Sequence, residues 1–128
     1  MTPENAPIQL DQVLERIVCD GGTGNFIIFR DPKTEYYVQV AASKGDTMMH
    51  LEAVSNEFIE SDPLDAEQEQ VLFDLGWIRP SKDIPNYYQD LACGRPAERK
   101  DIMSIIIATF KDAYEVPFDR VEITVTLE

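Results

Sequence analysis

Leu75-Gly76-Trp77-Ile78-Arg79-Pro80, with Pro85-Asn86-Tyr87-Tyr88 close behind, is the stretch on which the reading of this chain turns. It holds the only tryptophan, a glycine where a helix would end, and prolines at 80 and 85 that prevent a simple continuation. It reads as a compact connector between two helices, held by aromatic anchors. It marks a fold rather than a reaction, because no arrangement of nucleophile, base, metal ligands or phosphate loop stands out elsewhere.

On the upstream side, Asp62-Pro63-Leu64-Asp65 leads into a predicted helix from Ala66 to Leu75. Asp65 can cap it, Gln68 three residues on completes a capping box, and Val71, Leu72 and Leu75 form the buried stripe. On the downstream side, Arg95-Pro96 opens another helix, with Ile102, Met103, Ile106, Phe110 and Ala113 along one stripe. Ile105 and Ile107 widen that stripe, which suits a central helix packed against the sheet and a further element, and Pro117 closes it.

The first half of the chain changes period. Ile8 to Cys19 places Leu10, Val13, Leu14, Ile17 and Val18 at helical spacing, and Asp20-Gly21-Gly22-Thr23-Gly24-Asn25 ends the helix. Strands are predicted from Phe26 to Phe29, Glu35 to Ala42 and Thr47 to Val54, separated by Asp31-Pro32-Lys33-Thr34 and Ser43-Lys44-Gly45-Asp46. Such short connections favour antiparallel neighbours. Tyr36, Val38 and Val40 alternate with Tyr37, Gln39 and Ala41, and Met49, Leu51 and Ala53 alternate with Met48, His50 and Glu52, so one face is drier. Val121, Ile123, Val125 and Leu127 alternate with Glu122, Thr124, Thr126 and Glu128 in a half-buried terminal strand. The expected fold is α+β: one domain over residues 1–128, an antiparallel sheet with helices on one face, in the order α-β-β-β-α-α-β.

Length and composition agree with an ordinary globular domain, at 128 residues with 44% hydrophobic and 27% charged residues. The charge is unusual: a formal −13 repels phosphate backbones and anionic membranes and attracts a basic protein segment. Met1 to Pro7 has no basic start and apolar run, so no secretory leader is expected and the mature chain is expected to start nearby. Ile102 to Phe110 falls far short of the roughly 20 apolar residues that span a bilayer. Cys19 and Cys93 read as free thiols, and a cytoplasmic location is expected.

The candidate chemistries are weak. Asp20-Gly21-Gly22-Thr23-Gly24 follows a helix, whereas a phosphate loop precedes one, and it lacks the Lys-Ser/Thr ending. His50, the sole histidine, sits on the presumed outer face beside Glu52 and Met48 without a visible ligand set, which favours a surface or structural role. Glu57, Glu60, Asp62 and Asp65 miss the spacing and central glycine of an EF-hand loop. No catalytic, cofactor or metal residue is assigned, and an enzyme built on His50 would need a closed pocket with at least two acids. The apolar surplus is more informative, since Phe26-Ile27-Ile28-Phe29 cannot put all its bulk on one face and Tyr37 and Met48 share the opposite one. Trp77, Tyr87, Tyr88 or a helix of the same chain would cover that face, or else a peptide or second subunit would.

The element order together with Leu75-Gly76-Trp77, Pro80 and Pro85-Asn86-Tyr87 resembles the YbjN-like proteins related in fold to type III secretion chaperones, the TY-Chap domains. The resemblance covers nearly the whole chain. It implies a chaperone-like α+β fold, often dimeric among the secretion relatives, with peptide or protein binding and no established catalytic set. The terminal strand has no secure place in that pattern.

The leading expectation is a chaperone-like or adaptor protein that binds a protein segment noncovalently, with Tyr37, Met48, His50, Glu52, Trp77, Tyr87 and Tyr88 as contacts and no cofactor, nucleic acid or membrane involved. An acidic immunity or antagonist protein masking a basic surface is the alternative. Homodimer formation is left open.

Overall fold

Local signals in the chain set the elements, and the computed structural model describes residues 6–59 and 63–128, with the side chains of all but 6–11 and 57. The first helix, α1, runs Ala6–Cys19, with Leu14 and Ile17 fully buried. Leu10 of its predicted stripe lies outside the described side chains. Residues 1–5, on which the expectation about a leader partly rests, and Asp62 of the second helix's lead-in are likewise outside the described residues. Gly21, at φ 70°, turns the chain out of α1. Buried Asn25 then donates from Nδ2 to the carbonyls of Ile17 and Asp20, both at 2.9 Å, satisfying helix-end acceptors from the start of the first strand.

Strands β1 (Asn25–Arg30), β2 (Tyr37–Ala42) and β3 (Met48–Ala53) form the expected antiparallel meander. Their alternation decides which side is core: Ile27, Phe29, Val38, Val40, Met49 and Leu51 point inward and are essentially fully buried. Helix α2, Ala66–Asp74, begins with the predicted capping box, in which the Gln68 amide donates to Asp65 Oδ1 at 2.8 Å and the Asp65 amide to Gln68 Oε1 at 3.0 Å. It ends at Gly76, φ 94°, where the Trp77 amide reaches the Leu72 carbonyl and the Gly76 amide the Phe73 carbonyl, each at 3.0 Å. This is the Schellman arrangement, and it is why the position takes glycine.

The connector that follows contains a strand absent from the predicted order. Ile78 bridges Tyr88, and β4, Tyr87–Ala92, pairs antiparallel with β3. Sequence pattern hides it because a buried polar residue, Gln89, occupies an inward position, where its Nε2 donates to the Leu75 carbonyl at 3.3 Å and so serves the end of α2. Helix α3, Pro96–Ala108, packs on α1 and carries buried Ile102, Met103 and Ile106. It then widens into a π-helical turn, Thr109–Ala113, before Pro117, where a regular helix was expected.

The terminal strand β5, Glu122–Thr126, adds antiparallel to β1, so the sheet order is β4-β3-β2-β1-β5. Val121, Val125 and Leu127 pack against the core, whereas Ile123 of the same expected stripe is exposed, because β5 is an edge strand. Two links fasten this strand. Arg120 forks onto buried Asp31 with Nε–Oδ1 at 2.7 Å and a second nitrogen to Oδ2 at 2.8 Å, and the Glu128 amide donates to Asn25 Oδ1 at 3.0 Å.

Candidate functional site

The strands bury one face under the helices and leave the other without cover among the described residues: no outward side chain of any strand is fully buried. Register aligns that outer face in rows. Ile28, Gln39, Glu52 and Tyr88 lie across from one another, as do Phe26, Ala41, His50 and Asp90. Apolar Phe26 and Ile28 occupy the β1 side and charged His50, Glu52 and Asp90 the β4 side, with Met48 half exposed at the margin.

Hydrogen bonds join several of the expected contact residues. Asn86 Nδ2 donates to the Tyr37 hydroxyl at 3.0 Å and reaches Glu52 Oε1 at 3.3 Å. The other Glu52 oxygen is 2.9 Å from His50 Nε2, and His50 Nδ1 is 2.8 Å from Asp90 Oδ1. Carboxylates at both ring nitrogens require both to donate, which is the imidazolium form. Burial pulls the His50 pKa down, but the Asp90 and Glu52 hydrogen bonds and charges outweigh it, and the net direction is up. The Tyr88 ring lies nearly parallel to the imidazole, centroids 6.3 Å apart.

Asn86 and Asp90 were not foreseen. Asn86 is buried and its Oδ1 accepts the Ser55 amide at 3.1 Å, so it fixes the β4 end of the row. A lone Asn or Asp in the connector carries no local sign of partners 31 to 49 residues away.

Trp77 and Tyr87 do not join this face. Both are buried on the helix side, because Tyr87 alternates with outward Tyr88 and Trp77 follows the turn out of α2. The indole N–H of Trp77 donates to Thr109 Oγ1, and the Tyr87 hydroxyl donates to Glu69. Burial first, then the Glu69 hydrogen bond, pushes the Tyr87 hydroxyl pKa up. Of the side chains expected to cover the outer face, only Tyr88 lies on it.

His50 does have two acids beside it, yet on an open sheet surface rather than in a closed pocket. Among the described residues no group of three His, Cys, Asp or Glu could hold a metal ion. Cys19 is exposed and Cys93 buried, both as free thiols, and burial raises the Cys93 pKa, away from reactivity. Asp65 of the acidic cluster caps α2, whereas Glu60, Asp62 and the Glu57 side chain lie outside the described residues. No described helix is long and apolar enough to cross a membrane.

No curated protein and no solved structure matches the chain. A family model does, over residues 8–121, which runs from within α1 to the residue before β5. That span exceeds half the sequence and agrees with the α+β fold of one antiparallel sheet and a helical layer. The chain belongs to the family described as T3SS (YopN, CesT) and YbjN peptide-binding chaperone 3.

Proposed function

We propose that this protein is a non-enzymatic chaperone-like or adaptor protein that binds a segment of a partner protein on its outer sheet face. The observation that carries this reading is the sheet face, uncovered by any helix among the described residues, on which Tyr37, Met48, His50, Glu52 and Tyr88 meet Phe26 and Ile28. Its apolar half supplies area to bury, and its acidic half favours a segment carrying Lys or Arg. Family membership supports peptide binding as the general role. Trp77 and Tyr87 support the domain beneath rather than touching the segment. Free thiols agree with a reducing, cytoplasmic setting.

The test is capture of partners from a lysate by the wild-type protein and by a Tyr37→Ser/Met48→Ser variant, with light scattering for oligomeric state and thermal melting for integrity. Loss of a captured protein at unchanged folding supports the face. Equal capture removes these residues from the proposal.

The net charge of −13 motivates a second reading, an antagonist that masks a basic protein surface. Capture that collapses with modest salt while tolerating the serine substitutions favours the antagonist.

A further inference from the structure

On the helix side, between α2 and the loop that leads from Ile78 to β4, lies an open cleft of about 560 Å³. The half-buried Phe73 ring faces it, 5.9 Å from the buried Tyr87 ring, and Pro80 and Pro85 stand at its margin. That volume falls within the range of small-ligand pockets.

The polar side chains of the cleft are engaged with one another or with nearby backbone, with one exception. Ser55 Oγ donates to the Pro85 carbonyl at 2.7 Å, and Asn56 pairs through both amide atoms with the Leu64 backbone at 2.7 and 3.1 Å. Gln70 donates to Asp74 at 3.0 Å, and Glu69 accepts the Tyr87 hydroxyl. The exception is Arg79. Its guanidinium lies 4.8 Å from the centroid of the Phe73 ring and has no carboxylate partner among the described residues. A guanidinium near a ring and without a carboxylate partner keeps N–H donors available, and their fork matches a carboxylate.

We propose that this cleft binds the C-terminal end of a peptide, with the terminal α-carboxylate on Arg79 and an apolar last side chain on Phe73. The site is separate from the outer sheet face and does not depend on it.

The probe is acetyl-Ala-Ala-Ala-Phe as the free acid, titrated into ¹⁵N-labelled protein and followed by amide shifts. Comparison arms use the same peptide as its C-terminal amide, and an amidated peptide with an internal aspartate. The free acid is expected to shift Glu69, Gln70, Phe73 and Tyr87 saturably, with about tenfold weaker binding for either amidated peptide and about tenfold loss in Arg79→Gln. Arg79 is exposed, and a dispersed amide spectrum of the variant verifies its fold. Absence of cleft shifts up to about 10 mM, equal binding of an amidated peptide, or indifference to Arg79→Gln overturns the proposal.

Discussion

Trp77 donates its indole N–H to the hydroxyl of Thr109 across 2.9 Å, and both residues are buried. The bond ties the turn that ends α2 to the first residue of the π-helical turn that extends α3. The same hydroxyl donates to the Ile105 carbonyl at 2.7 Å, so it relays between an indole and a helix backbone.

Thr109→Val therefore leaves the indole donor buried without its acceptor and is expected to cost about 2 kcal/mol. Combined with Trp77→Phe, the loss should be smaller than the sum of the two single losses, because the second substitution removes the stranded donor. Urea unfolding of the four proteins measures the coupling. Strict additivity would show that the bond contributes nothing to stability.

Asp31 is fully buried and accepts from Arg120, from the Thr34 hydroxyl at 2.6 Å and from the amides of Thr34 and Lys33. Burial raises its pKa, but Arg120, Thr34 and the two amides together hold it well below the ordinary 3.8. A depressed carboxyl contributes stability that is fully present above the unfolded value and is lost as pH falls below it. Asp31→Ala is expected to cost about 2 kcal/mol at neutral pH, chiefly because it leaves the Lys33 and Thr34 amides and the Thr34 hydroxyl without their acceptor. In Asp31→Asn, the drop in stability below about pH 4 should be shallower than in the wild type. Acid titration of the melting temperature reads both.

His50 carries the opposite sign. Its pKa is raised, so its ion pairs stabilise the fold below the ordinary 6.5 and lose that contribution as pH rises through the higher folded value. Imidazole proton shifts should give a midpoint above 6.5, and Asp90→Asn and Glu52→Gln should each lower it. A wild-type midpoint at or below 6.5 would contradict the double pairing.

Gly76 sits at φ 94°, and a Cβ there would lie 3.0 Å from Gln89 Oε1, on a side chain already held by the Leu75 carbonyl. Gly76→Ala is expected to destabilise by about 2 kcal/mol through the strained backbone. Chemical denaturation checks this, with Gly45→Ala, also at positive φ but in open space, as the comparison that isolates backbone strain from the Gln89 contact.

The parts of the fold that sequence exposes are those whose causes lie close together along the chain. Asp65 and Gln68 announce a capping box three residues apart, and Val121 to Leu127 announces a strand by alternation alone. β4 escapes because inward Gln89 answers to the end of α2 rather than to the apolar pattern. Trp77 and Tyr87 resemble surface contacts only while their side of the sheet is undetermined, since a one-residue difference in phase sends a side chain to the other face. Tyr37, His50 and Glu52 were legible as neighbours because a meander brings them together. Asp90, 40 residues from His50, and Asn86, 49 residues from Tyr37, become visible only once β4 has its register.

The pairing of β1 with β5, clasped by residues 89 positions apart, also has a consequence for synthesis. Translation at cellular rates separates the emergence of Asp31 and Arg120 by on the order of ten seconds. During that interval the meander of β1, β2 and β3 can already form, while the outer edge of β1 offers unsatisfied amides and carbonyls. A nascent chain on a crowded ribosome array is thus exposed to strand pairing with its neighbours until β5 docks, and substitutions that loosen the Asp31–Arg120 clasp prolong that exposure after Arg120 emerges, so they should reduce soluble yield more than their effect on the finished fold would suggest.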